Sequence, residues 1–347
     1  MASPHAPATR RDVIGGLAAL GAGALVPGNA AWARAPAAKH IRIDVHRHFL
    51  TPETVGSSYL VEPPFKRWSL QQTLDDMEQG GVTTAMLSLT PNLLAAQAQG
   101  GPIAARHYRR CNEYGAQLVA EHKGRFGLFA GIPLTDTDAS LAEIDYALGT
   151  LKADGIGVFT SYGNQWLGNA AFDPVFAELD RRKAVVFTHP VVAPCCSRLI
   201  PEVGDSEIAL GTDTSYAIAS MVLTGASQRY PDIRAIFSHG GGTMPFLIRR
   251  FVTDAQTSPR LKKLLPGGFM PEFHRFYFDV AQIPARPPLL ALKEVAPISH
   301  ILFGTDFPFR SAAEHALGLK QSRVFSAREL RAIDSNGALL MPRLRAA

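Results

Sequence analysis

Cysteine is scarce in this chain, with three in 347 residues. So small and odd a number cannot supply a disulfide framework, so the fold must rest on a hydrophobic core rather than on covalent staples. Long hydrophobic runs are lacking too. The segment from Val13 to Val26 is apolar but rich in Gly and Ala, and too short to make a convincing membrane-spanning helix. Long basic runs interleaved with aromatics are also missing. Lys and Arg outnumber Asp and Glu by 35 to 30, a formal net charge of +5, but they are scattered, which leaves nucleic-acid binding without support. A field of that size does no more than favour the approach of an anionic substrate. The hydrophobic content of 46% is that of an ordinary globular protein and argues against both disorder and a multi-span membrane protein.

The N-terminus reads as a targeting segment. Arg10 and Arg11 precede the mild apolar stretch, and Ala31-Trp32-Ala33 has the small-x-small form of a cleavage site. Residues 1–33 resemble a twin-arginine export signal, which makes the mature protein periplasmic or secreted, with no membrane association after cleavage. That route carries proteins that fold, and often take up a cofactor, before they cross.

From residue 41 onward, strand-like and helix-like segments alternate, the signature of a parallel sheet with crossover helices. Strands are expected near 41–46, 82–89, 126–132, 155–160, 184–189, 233–238, 276–280 and 299–304, with helices between them. Among these helices are Ala139 to Lys152, with a Ser140/Glu143 capping box, and Thr214 to Gln228. No linker divides the stretch, so residues 41–345 form one α/β domain, a (β/α)8 TIM barrel.

Several strands end abruptly in a potential metal ligand. The first carries Asp44-Val45-His46-Arg47-His48, and side chains two apart on a strand share a face, so His46 and His48 converge. Later strands lead to His189, to His239 followed by Gly240, Gly241 and Gly242, and to Asp306 followed by Phe307 and Pro308. In a parallel barrel the C-terminal strand ends open on one mouth, so ligands far apart in sequence meet there. Imidazole and carboxylate donors suit a divalent ion such as Zn2+. Cys195 and Cys196, in the loop after His189, read as small, partly buried residues rather than as soft ligands or a vicinal disulfide.

The ordered set of H-x-H, His, His and Asp on successive strands resembles the amidohydrolase superfamily. Asp44-Val45-His46-Arg47-His48, His239-Gly240-Gly241-Gly242 with Pro245-Phe246, and Gly304-Thr305-Asp306-Phe307-Pro308-Phe309 narrow it to the aminocarboxymuconate-semialdehyde decarboxylase family. Phe129-Ala130-Gly131-Ile132-Pro133-Leu134, Ser161-Tyr162-Gly163 and Phe172-Asp173-Pro174-Val175-Phe176 are similar to its 6-methylsalicylate decarboxylase branch. The resemblance implies that His46, His48, His189 and Asp306 hold the metal, with His239 beside it as an acid/base residue. It implies one ion rather than two, because binuclear members use a lysine at the end of the fourth strand, where this chain reads Gly155-Ile156-Gly157-Val158-Phe159-Thr160-Ser161-Tyr162. Arg67, Tyr162, Phe307 and Arg310 are the expected substrate contacts, with Arg47 an alternative anchor for a carboxylate, and a homodimer is implied.

The expected reaction is non-oxidative decarboxylation of a hydroxylated aromatic acid, with His239 or Asp306 delivering a proton to the ring. Two alternatives stand beside it: hydrolysis or hydration of a lactone, amide or unsaturated carboxylate by the same residues, and periplasmic metal or aromatic-acid binding without catalysis, which keeps the ligands but has no need of His239. No organic cofactor is required. For the export signal, replacing Arg10 and Arg11 together by lysine is expected to leave the precursor in the cytoplasm. Fractionation that still finds processed protein outside would overturn the assignment.

Overall fold

Short, mostly apolar segments form the eight strands of the main sheet in this computed structural model, which describes residues 41–52, 54, 63–88 and 100–346. The export-signal expectation over 1–33 lies outside the described residues. The strands are β1 (Ile43–His48), β2 (Thr84–Ser88), β3 (Phe126–Gly131), β4 (Gly155–Phe159), β5 (Val185–His189), β6 (Arg234–Phe237), β7 (Tyr277–Asp279) and β8 (Ile301–Leu302). They pair in parallel, in sequence order, as one eight-stranded sheet. Backbone bonds draw the last segment onto the first: Val45 N–H donates to Phe303 O at 3.0 Å, Asp306 N–H to His46 O at 2.9 Å and His48 N–H to Phe307 O at 3.0 Å. The result is a nearly closed barrel, with all eight strands where the alternation of segments places them.

The principal crossover and C-terminal helices are α1 (Leu70–Gly80), α2 (Gly101–Glu121), α3 (Thr137–Ile144), α4 (Asp173–Arg181), α5 (Asp205–Leu223), α6 (Met244–Thr257), α7 (Arg286–Val295), α8 (Ala312–Ser322) and α9 (Ala327–Ser335). Two expectations need correction. Helix α3 is capped by Asp136, which accepts from Ala139 N–H at 3.0 Å, and it passes into a π-helix at Asp145–Thr150. Ser140 and Glu143 therefore form no capping box. Ser140 Oγ donates to Pro133 O, while the buried Glu143 is taken by Arg109 at 2.7 Å and Asn112 at 2.8 Å. The box occurs instead at Ser326 and Glu329, at the start of α9. Helix α5 begins at Asp205, nine residues before its expected start at Thr214, and stops before Gly225, whose φ of 79° only glycine adopts freely.

Strand β1 carries a bulge. Asp44 pairs with Ala85 but Arg47 with Leu87, so three steps on β1 match two on β2. The extra residue lets Ile43 and Val45 pack among the rings and aliphatic chains of the inner core, with Phe129, Val185, Phe187 and Leu302, while His46 and His48 turn into the mouth above them. Arg47 is the largest fully buried side chain. Its guanidinium is bound by Asp44 at 3.0 Å, Asp76 at 2.5 Å and the Thr73 carbonyl at 3.2 Å, and it lies 4.4 Å from the centre of the Phe307 ring. Asp44 also accepts from the Thr305 N–H and hydroxyl, at 3.1 and 2.7 Å, so this ion cluster ties β1 and α1 to the segment that carries Asp306. Removing one member of a buried ion cluster leaves the others uncompensated. Arg47→Met is accordingly expected to lower the stability of the folded protein by about 3–5 kcal/mol, measured by urea unfolding.

Candidate functional site

Four strands deliver imidazoles and carboxylates to one end of the barrel, and all of these groups are buried. Oδ1 of Asp306 lies 3.1 Å from His46 Nε2, 2.9 Å from His48 Nε2 and 3.6 Å from His189 Nε2, and the Nε2 atoms of His48 and His189 are 3.2 Å apart. His239 stacks on the His46 ring, with centres 5.3 Å apart, and meets the other oxygen, its Nε2 3.3 Å from Oδ2. The ligand atoms of His46, His189, His239 and Asp306 all fall within 4.8 Å of one another, a grouping that can hold a metal ion. His48 comes closer to Asp306 than any of the three histidines in that grouping, so the five side chains form one cluster.

The hydrogen bonds behind the rings decide what faces the centre. His46 Nδ1 pairs with Asp279 Oδ2 at 2.9 Å and His189 Nδ1 with the Pro190 carbonyl at 2.8 Å. Both acceptors require the proton on Nδ1, which turns a bare Nε2 lone pair inward. Lone pairs aimed at a carboxylate repel unless a cation stands among them. His46 Nε2 and His239 Nε2 are in fact buried without a hydrogen-bond partner among the described residues. A tetrahedral centre with bonds of about 2.0–2.1 Å has donor–donor edges of roughly 3.3–3.4 Å. The separations of 2.9–3.6 Å among His46, His48, His189 and Oδ1 bracket that value, so the residues fit a divalent ion.

The electrostatics point the same way. Burial opposes charge on His46, yet Asp279 and Asp306 outweigh it and raise its pKa to about 10, so that without a cation a proton takes the Nε2 position a metal would occupy. His189, under the same burial and beside His48 and His46, is pushed down to about 3. Burial favours the neutral form of Asp306, but the surrounding imidazoles hold its carboxyl well below the usual range. Two buried carboxylates thus draw positive charge into the cluster. The backbone is also held in unusual form there, since His239 has φ 54° and Asp306 φ 64°, a region that side-chain-bearing residues enter at some cost.

Sequence reading missed Asp279, although β7 ends in it just as β5 ends in His189. It sets the tautomer of His46 through one oxygen and accepts the His239 N–H at 3.0 Å through the other. Gly304 makes room for this pair, because a Cβ there would stand 2.9 Å from that of Asp279 and 3.1 Å from that of His46.

The expected substrate contacts are dispersed. Arg67 is exposed and, among the described residues, no contact joins it to the cluster. Tyr162 is buried, and its hydroxyl accepts from Phe159 N–H at 3.0 Å; burial raises its pKa. Phe307 covers Arg47 on the outer side of β1, where Arg47 is already spent on carboxylates. The rings beside His48 are Phe65 and Phe309, with centres 6.0 and 6.3 Å from it and 5.0 Å from each other. Arg310 stands at the mouth with a half-exposed side chain, its Nε donating to Gln282 Oε1 at 3.3 Å. The fourth-strand position lacking lysine carries Thr160, which with Ser161 and Trp166 donates to the buried Asp213. Cys195 and Cys196 are joined as a vicinal disulfide, not left as separate packing residues, because neighbours in the short helical turn Pro194–Cys196 bring their sulfurs together.

Comparison with known proteins agrees with this geometry. A family model described as amidohydrolase matches residues 43–333. The 6-methylsalicylic acid decarboxylase of Penicillium expansum is 37% identical over 328 residues, spanning 88% of this chain and 97% of its own. Two solved structures share the fold. A 2,6-dihydroxybenzoate decarboxylase complexed with 2,6-dihydroxybenzoate superposes with TM-score 0.76 at 21% identity, covering 87% of this chain and 99% of that one. The dihydroxybenzoic acid decarboxylase from Polaromonas, with bound manganese and 2-nitroresorcinol, gives TM-score 0.75 at 20% identity over 87% and 97%. The carboxylate behind His46 supplies a direct test of the metal centre. Asp279→Asn is expected to weaken divalent-ion affinity by about 10–100-fold, read by competition with a chromogenic chelator.

Proposed function

The chain belongs to the amidohydrolase family, and from that premise we propose that it is a metal-dependent, non-oxidative decarboxylase of a hydroxylated aromatic acid such as 6-methylsalicylate. The observation that carries this reading is the buried Nε2 of His239, which lies 3.3 Å from Asp306 Oδ2, has no hydrogen-bond partner among the described residues, and stands at the oxygen other than the one that His46, His48 and His189 approach. His46, His48, His189 and Asp306 would hold the ion; the imidazole-rich donor set favours Zn2+, and the manganese in the Polaromonas structure makes Mn2+ the second candidate. A divalent cation there supplies the Lewis acidity that withdraws charge from the substrate's oxygens.

The chain's own residues do the rest. Phe65 and Phe309 offer edges and faces to an aromatic ring beside His48. Arg310, at the mouth, is placed to attract the carboxylate. His239 delivers its proton from Nε2 to the ring carbon that bears the carboxylate. The carbon–carbon bond then breaks, its electron pair restores the aromatic ring, carbon dioxide leaves, and His239 is reprotonated from solvent. Burial of the cluster keeps water from competing for that proton.

The export segment and the barrel together make a folded periplasmic or secreted enzyme, supported by Arg10-Arg11 and the small-x-small sequence ahead of residue 41. A homodimer is the proposed assembly, supported by the family resemblance. The reading is tested by carbon dioxide release from a panel of 2-hydroxybenzoates. His239→Ala is expected to keep one divalent ion per chain while kcat falls by about 10² or more. Release of a hydrolysis product without carbon dioxide would overturn the reading.

A further inference from the structure

Gln282 breaks a local rule. It carries a long side chain at φ 62°, a conformation suited to glycine, in the loop that follows β7. Three contacts hold it there, one of them the Arg310 Nε donating to its Oε1 at 3.3 Å. Its backbone N–H donates to His315 Nε2 at 3.1 Å, and its side-chain Nε2 donates to Asp306 Oδ2 at 2.8 Å. His315 is fully buried on α8, and its Nδ1 donates to the Ser311 carbonyl at 3.0 Å, so Nε2 is the acceptor nitrogen. Burial lowers the pKa of His315, in keeping with that neutral form. An ordered chain therefore runs from α8 through His315 and Gln282 to the carboxylate at the centre of the cluster.

The chain has a direction and a consequence. Asp306 has two oxygens and one rotatable bond that exchanges them. With Oδ2 engaged by the Gln282 amide, Oδ1 is the oxygen left facing His46, His48 and His189. A carboxylate without that bond would swing about its Cβ–Cγ bond, and would lose that freedom on taking up a cation. We infer that Gln282, anchored by His315, is a positioning residue that holds the plane of the Asp306 carboxylate so that one oxygen stays aimed at the metal-binding imidazoles. The inference rests on the proposed metal centre. It explains why a glutamine, not a glycine, occupies a left-handed backbone position: the strain is offset by a side-chain bond made to a functional carboxylate.

The strain itself supplies the test. Gln282→Gly removes the amide but relieves the backbone, so a merely structural role and a positioning role give opposite results. The variant is expected to unfold, metal-free, at a urea midpoint no lower than wild type, yet to release Zn2+ to excess chelator about tenfold faster or more. His315→Leu should accelerate release to a similar degree, and His315→Gln, whose side-chain carbonyl can stand in for Nε2, should restore it. The double variant should be no faster than either single variant, because both cut the same chain. Release from Gln282→Gly at the wild-type rate, with wild type holding its ion, overturns this inference alone. Wild-type protein that takes up no divalent ion overturns the metal centre and the inference with it.

Discussion

One buried carboxylate organises the functional end of this protein. Asp306 sits among four imidazoles with almost no exposure, and an isolated charge so placed would be costly. It is tolerable because opposite charge is drawn to it and because its own backbone N–H donates to the His46 carbonyl. That bond is one of those which bring the segment after β8 onto β1, so the chemistry and the closure of the barrel depend on the same residue. The cost recurs in the backbone, where Asp306, His239 and Gln282 all adopt positive φ. Three such residues meeting at one carboxylate are the mark of geometry retained for a site rather than for packing.

Below this cluster, on the outer side of the same strand, the problem of buried charge is solved differently. Arg47 pairs with Asp44 and Asp76, and Asp44 reaches the Thr305 hydroxyl next to Asp306. The bulge in β1 divides the two solutions, sending His46 and His48 into the mouth and Arg47 toward α1. A single sequence, Asp44-Val45-His46-Arg47-His48, thereby serves the candidate site and a structural ion cluster at once. Substitution at Arg47 acts through stability. Substitution at His46 or His48 acts through the site.

Much of this was legible in the residues. An apolar run that ends abruptly in His or Asp marks both a strand and its functional end, and that rule located β1, β5, β6 and β8 with the residues His46, His48, His189, His239 and Asp306. The same rule applied to β7 would have found Asp279, which was overlooked because a lone carboxylate after Tyr277-Phe278 carries no motif. Residues whose role depends on where side chains turn were harder to read. Phe307 and Phe309 are two apart and chemically alike, yet only Phe309 reaches His48, since Phe307 is claimed by the Arg47 guanidinium. Tyr162 lies in a strand-end segment as expected, but its hydroxyl is used by the backbone of Phe159. Gln282 and His315 had no signal at all, because their pairing joins a loop to a helix 33 residues away.

The central claim is that His46, His48, His189 and Asp306 form one divalent-metal centre with His239 outside it. The most direct measurement is anomalous X-ray diffraction from crystals of the purified protein loaded with Mn2+. The account predicts a single anomalous peak per chain, bonded to the three imidazoles and one oxygen of Asp306, with His239 close by but not coordinated. Two peaks in the barrel mouth, or one peak bonded to His239 in place of His48, would contradict it.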